Sequence, residues 1–380
     1  MRTPKAIGTN PKILKWAREN AGFTIEEIAK KMNKDVDSFS LWENGKKIPT
    51  FKQLSTLSSI YRYPSAFFFD DIVPESKPLP VDYRTMPDKT IENFPEIKFE
   101  IESANEKREI ALDLSYKLGL NIPNFELSCS IEDEPEEVAN NIRNYLQIPI
   151  EKQFKWKKDE YTSLNNWKSI LEQIGVIVFQ FSGIAPGEIR GYSINKKPLP
   201  VIGVNTGDSP KARNFSIFHE LAHIVSGTEG VCNMEKRDNK IERFCDSVAA
   251  NFLIPSTNLL KEKIVQENDS MIWDENDLFN LSKKYSVSME SMLIALIDNG
   301  KSTWNFYKKI KEDWQIKNGI ENLKAKNSYI PYHKKVSSWN GNYYMRILFN
   351  AYNNKLINRN NLSSYLGDVK IKHIEKLEVK

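Results

Sequence analysis

At 380 residues, with 40% hydrophobic and 27% charged side chains, the chain has the composition of a globular protein of two or three domains rather than of a disordered or fibrous one. No apolar run approaches the roughly 18–20 residues that span a bilayer, and the opening MRTPKAIGTNPK has no signal-type core. Three scattered cysteines, Cys129, Cys232 and Cys245, imply no disulfide framework, so a cytoplasmic protein without a membrane partner is expected.

The net charge of +4 is unevenly spread. Lys and Arg outnumber Asp and Glu by 12 to 7 over residues 1–70 and by 16 to 6 over 301–380, while 71–130 reverses to 7 against 12. Basic ends fit contact with nucleic acid, and they equally fit solvated helix faces.

Residues 11–70 read as four or five short helices. PKILKWARENAG is periodic and stops at Gly22. TIEEIAKKM opens with Thr24 and carries Glu27 three residues on, the spacing of a capping box. After a polar turn at Asn33 and Lys34, DVDSFSLWENG runs to Gly45, and the helix following Pro49 puts Leu54, Leu57 and Tyr61 on one face. Short helices joined by tight turns in a small bundle predict a helix-turn-helix. A connector marked by Pro74, Pro78 and Pro80 follows, and helices are expected over 92–118, 134–148 and 162–175. The period then changes: VIVFQF (176–181), IRGYSI (189–194) and LPVIGVN (199–205) read as three strands. Helices resume near Asn214 and continue to the end, including the amphipathic 342–354. The expected fold class is mainly α with a small sheet (α+β).

The chemistry concentrates in FSIFHELAHIVSG. His219 and His223, four apart, share one helix face, so both imidazoles reach a single ion. Glu220 sits about 100° around the helix, where it can act as a general base without ligating. Phe215, Ile217, Phe218, Leu221, Ala222, Ile224 and Val225 make this a buried helix, on which polar groups need partners. Catalytic zinc takes three protein ligands and keeps one position open. No third histidine follows at the extended-motif spacing. The apolar-periodic IERFCDSVAANFLIP (241–255) places Glu242 and Asp246 four apart, which suits a ligand and a carboxylate that orients a histidine. Glu242 is therefore read as the third ligand and Asp246 as the orienter. Glu229, Glu235 and Asp238 are the alternatives, but they lie on a loop, which holds geometry less well than a helix. Cys245 is read as a core residue, and His333 and His373 as surface residues in basic surroundings.

FHELAHIVSG, ERFCDSVAANFLIP and IRGYSI with PVIGVN together resemble the ImmA/IrrE family of zinc metallopeptidases. SLWENGKKIPTFKQLSTLSSIYRYPSAFFF resembles the XRE-type helix-turn-helix fused in front of many of them. PLPVDYRT and KKYSVSMESMLIALIDNG (283–300) fit the same fused architecture, so the likeness spans most of 10–315. The resemblance implies Zn2+ held by His219, His223 and Glu242, with Glu220 as catalytic base. It also implies a protein substrate, namely a helix-turn-helix repressor of mobile-element, phage-related or stress genes. The domains expected are a helix-turn-helix at 10–70, a helical connector at 71–160, a zincin-like metallopeptidase at 161–300 and a basic helical region at 301–380. The other reading is a DNA-binding regulator whose zinc domain is a sensor or structural unit.

The DNA reader departs from the family pattern. Ile25 stands where a glutamine often follows the helix-opening threonine. The third helix presents Asp35, Asp37, Ser38 and Ser40, with no Arg, Asn or Gln for bidentate base contacts. Lys34, Lys46 and Lys47 suit phosphates, as do amides at the helix start after Thr50. The expected DNA surface is thus Lys34, Asp37, Ser38, Ser40, Lys46, Lys47 and Thr50, taking double-stranded DNA. The alternative partner for this surface is the like-folded repressor itself.

Overall fold

The computed structural model describes residues 4–61, 63–74, 95–157, 159–228, 231–232, 240–322 and 330–377. The Pro-marked connector therefore lies, from residue 75, outside the described residues. Two compact units result, Met1–Glu102 and Ser103–Lys380.

The first unit holds α1 (Pro11–Asn20), α2 (Ile25–Lys31), α3 (Val36–Glu43), α4 (Phe51–Tyr61), a 3-10 turn (Ser65–Phe69) and the start of α5 (Pro95–Lys117). Local chemistry sets each boundary. Asn10 caps α1 with Pro11 at its first position, and Gly22 follows in the left-handed region. Thr24 and Glu27 form the expected reciprocal capping box, and Asp35 caps α3 through the Ser38 N–H at 2.6 Å. Leu54, Leu57 and Tyr61 are all buried, as the period predicts. Arg18 of α1 grips Glu43 of α3 with two bonds, from Nε at 2.7 Å and Nη2 at 3.0 Å, and donates a third to the Phe23 carbonyl at 2.8 Å. That bidentate pair is largely out of water and locks α3 against α1.

The second unit continues α5 and adds α6 (Pro135–Tyr145), α7 (Ile150–Phe154), α8 (Glu160–Gln173), β1 (Ile177–Phe181), β2 (Gly191–Ile194), β3 (Val201–Asn205), α9 (Pro210–Val225), β4 (Val231–Cys232) and α10 (Lys240–Leu253). The chain then runs through α11 (Ser256–Leu259), α12 (Lys263–Gln266), α13 (Glu275–Tyr285), α14 (Met289–Asp298) and α15 (Trp304–Asn322). It closes with α16 (Tyr332–Asn340), α17 (Asn342–Asn353), α18 (Arg359–Tyr365) and α19 (Ile371–Ile374). The mainly α architecture with a small sheet is as expected. None of the described helices is long and apolar enough to cross a membrane.

The sheet order is β1-β3-β2-β4, with β1 parallel to β3 and the other pairs antiparallel. Three of its strands lie inside the segments expected from sequence. The fourth, two residues long, was not expected, since a strand that short has no period to read. Both sheet faces are covered, and every residue of β1, β2 and β3 is buried. Val178, Ile202 and Val204 join α9 in the main core, so their partners Gly191 and Ser193 also face α9. On the other face Phe179 meets the Tyr344 ring of α17 at 5.7 Å.

The C-terminal helices reach this sheet through buried polar groups. Gln180 Nε2 donates to the Ser338 carbonyl at 2.9 Å, and the Glu172 carboxylate accepts the N–H groups of Asn342 and Tyr343 at the start of α17. Gly341 makes that turn with φ +67, and a Cβ there would stand 2.6 Å from Glu172 Oε1 and 2.8 Å from the Val178 carbonyl. The outer side of β1 is thereby closed.

Candidate metal centre

The motif helix α9 starts earlier than its apolar period suggests, because Ser209 caps it and Pro210 occupies its first position. Its first half carries polar groups that find partners. Arg213 donates to Gln180 Oε1 at 2.5 Å, and the Asn214 amide donates to the Ser286 carbonyl at 3.0 Å. Its apolar stripe locks it in place. Phe218 stacks on Phe252 of α10 with ring centroids 3.9 Å apart and meets Trp167 of α8 edge-on at 4.8 Å. Side chains of this kind contribute about 1.5–3 kcal/mol each on burial. They fix the rotation of α9 against α10, and with it the direction in which the histidines and Glu242 point.

His219 Nε2 and His223 Nε2 come within 3.2 Å of each other. Glu242 of α10 closes the triangle, with Oε2 3.3 Å from His219 Nε2 and Oε1 3.4 Å from His223 Nε2. Both imidazoles are almost wholly buried, at 6% and 1% exposure. The remaining ring nitrogens are held as well: His219 Nδ1 lies 2.9 Å from Asp246 Oδ1, and His223 Nδ1 lies 3.0 Å from Thr228 Oγ1. With Nδ1–H donating outward on both rings, both Nε2 atoms present lone pairs to one point, beside a carboxylate. Lone pairs held this close repel unless a cation or a proton lies between them, so this donor set fits a metal ion. Two imidazoles and one carboxylate also match the ligand chemistry of zinc.

Electrostatics lead to the same point. Burial alone would lower the His219 pKa, yet hydrogen bonds to Asp246 and Glu242 override it and raise the value to about 10. Burial would raise Glu242, but the two histidines hold its carboxyl well below the usual range. A site that attracts positive charge this strongly suits a cation.

Glu220 is 1% exposed and its Oε1 lies against Gly191 of β2. His219, His223, Glu242 and Asp246 are thus brought to one place, with Glu220 buried on the same helix as the two histidines. Cys245 is fully buried in the main core, where burial pushes its thiol far up, and it is not among the groups placed to hold an ion. Glu229, Glu235 and Asp238 fall outside the described residues. His333 and His373 belong to the C-terminal helices, where the His373 ring stands 4.9 Å from Tyr332. Sequence reasoning missed two residues. Thr228, the partner of His223, lies just past the end of α9 and belongs to no periodic element. Gly191 had a legible signal, since a glycine inside a strand often marks a close approach.

In the helix-turn-helix unit Lys34, Asp37, Lys46 and Lys47 are exposed, whereas Ser38, Ser40 and Thr50 are half-buried. The Ser38 hydroxyl is occupied with Asp35 at 3.0 Å. Thr50 caps its own helix, taking the Gln53 N–H at 3.3 Å while Gln53 Oε1 takes the Thr50 N–H at 2.8 Å, and the Phe51 N–H goes to the Pro4 carbonyl. The start of α4 therefore uses for itself most of the amides expected to meet a phosphate.

Residues 14–68 match the helix-turn-helix family, and residues 172–296 match the IrrE N-terminal-like domain, a peptidase family. The chain thus joins a segment that matches an XRE-type helix-turn-helix to one that matches an ImmA/IrrE-like peptidase domain. Peptidases of this family are generally metal-dependent, and His219, His223 and Glu242, with ligand atoms within 4.8 Å of one another, are able to hold a metal ion. Comparison with curated proteins gives no match.

Proposed function

We propose that the chain is a cytoplasmic zinc endopeptidase that cuts a helix-turn-helix transcriptional repressor, or its own connector around residues 71–90. Cleavage would relieve repression of mobile-element, phage-related or stress genes. The observation that carries this reading is the convergence of two buried imidazole nitrogens and the Glu242 carboxylate, with Glu220 buried on the same helix.

His219, His223 and Glu242 would hold the zinc. Once bound, zinc supplies a Lewis acid that eases ionisation of water near neutral pH and polarises a carbonyl. Asp246 Oδ1 and Thr228 Oγ1 keep the two rings oriented. Glu220 takes a proton from the attacking water on a carboxylate oxygen and returns it to the departing amide nitrogen. The buried setting of Glu220 keeps bulk solvent from competing for that proton. An extended substrate would use a sheet edge, and at Gly191 and Tyr192 the outer edge of β2 is already paired with β4.

The helix-turn-helix contributes location or recognition. Lys34, Lys46 and Lys47 hold DNA phosphates, with Asp37, Ser38, Ser40 and Thr50 on the same surface, so that the peptidase acts at a promoter; otherwise this surface grips the like-folded repressor. The match to a helix-turn-helix family also supports a second reading, a DNA-binding regulator whose zinc domain is a sensor with little turnover.

The deciding experiment mixes purified, zinc-loaded chain with any small helix-turn-helix repressor found encoded beside it. Cleavage that a chelator stops and zinc restores is the expected result. An intact repressor, together with selection of one defined operator from random DNA, would replace the first reading with the second.

A further inference from the structure

We infer that Gly191 is a positioning residue for Glu220: the strand β2 lacks a side chain at this point so that the carboxylate of the proposed general base can occupy the space. This rests on the peptidase reading for its catalytic consequence, but not for the steric fact behind it.

The backbone at Gly191 does not demand glycine, because its φ lies outside the left-handed region that favours that residue. Space demands it instead. A Cβ at 191 would stand 2.9 Å from Glu220 Oε1 and 3.1 Å from Glu220 Cγ, with the Gly203 carbonyl at 3.1 Å on the other side. Register explains the meeting. Gly191 pairs with Val204, whose side chain is in the core shared with α9, so position 191 points at the motif helix where Glu220 sits. Gly203 offers an internal contrast. It too lies in a strand, but the obstacle to its Cβ is the buried Tyr192 ring, a packing partner. One glycine makes room for the core, the other for the acid.

Glu220 is 1% exposed, so its carboxylate has no open solvent to retreat into. An added methyl must therefore displace it from the place it occupies against β2. Displacements of this size at a proton-transferring group slow catalysis by one to two orders of magnitude.

The first test is a double-mutant cycle on unfolding of the full chain in chelator. Gly191→Ala is expected to lower Tm by roughly 2–4 °C beside native Glu220, and by less than half as much in a Glu220→Ala background. Equal losses in both backgrounds would put the obstacle at Gly203 and overturn the inference. The second test is the metal-loaded chain acting on its repressor. Gly191→Ala should keep zinc at wild-type stoichiometry and leave KM unchanged, while kcat falls about 10–100-fold; unchanged kcat overturns the positioning role. If the wild type cuts nothing, the peptidase reading fails, and the unfolding cycle still decides whether Gly191 and Glu220 compete for the same space.

Discussion

The α9–α10 pair and the α2–α3 pair are both short helical pieces bearing a recognisable pattern, yet they place their polar side chains in opposite ways. Around α9 and α10 the histidines and the carboxylates of α10 turn inward, and each meets a partner within 2.9–3.4 Å. Around α3, Lys34, Lys46, Lys47, Asp35 and Asp37 face solvent, while Arg18 and Glu43, a largely buried polar pair, serve the bundle itself. Inward convergence constrains chemistry, because buried polar groups must satisfy each other or a ligand. An outward surface is defined only by its partner. The metal centre can therefore be argued from one chain, while the DNA reader needs the second molecule.

The largest effect bearing on this contrast is at Glu220. Glu220→Gln should keep its metal and lose about 10²–10⁴-fold in cleavage rate, measured in a repressor-cleavage assay; an active variant removes the proton-transfer role. In the other unit, Arg18→Ala leaves Glu43 buried without its cation and should cost about 3–5 kcal/mol, read by urea unfolding. A loss below about 1 kcal/mol would mean that α3 is held mainly by its apolar contacts.

These two cases also show how far the sequence could be read. The start of α2 was legible because Thr24 caps it by short-range chemistry, whereas Ser209 and Pro210 start α9 ahead of the apolar period that was read. His219 and His223 were legible because four-residue spacing guarantees a shared face, and Glu242 and Asp246 because α10 repeats that spacing. Thr228 was not legible: its hydroxyl meets His223 only because the chain turns back after α9, with Thr228 N donating to the His223 carbonyl at 3.0 Å. The seal over β1 was hidden for another reason. Glu172 and Gln180 read as ordinary polar residues until α16 and α17, more than 150 residues later in the chain, bring Ser338 and two helix-start amides to them.

The orienting residues rank next. Asp246→Ala should weaken metal affinity by about 10–100-fold, with Thr228→Val toward the lower end of that range, measured by competition with a chromophoric chelator. If Thr228→Val has no effect and Thr228→Ser is equally neutral, the hydroxyl does not hold His223. The smallest effect is expected on the exposed side. Replacing Lys34, Lys46 and Lys47 together by Ala should reduce the slope of log affinity against log salt by about 0.9 for each phosphate no longer neutralised, measured with duplex DNA by anisotropy. An unchanged slope would turn this surface from phosphates toward a protein partner.

That α9 and α10 jointly build a three-ligand metal site is tested most directly by the zinc content of wild-type and Glu242→Ala protein after dialysis against a weak chelator. One tightly held zinc per wild-type chain and almost none in the variant is the expected result. Undiminished zinc in Glu242→Ala would contradict the three-ligand site.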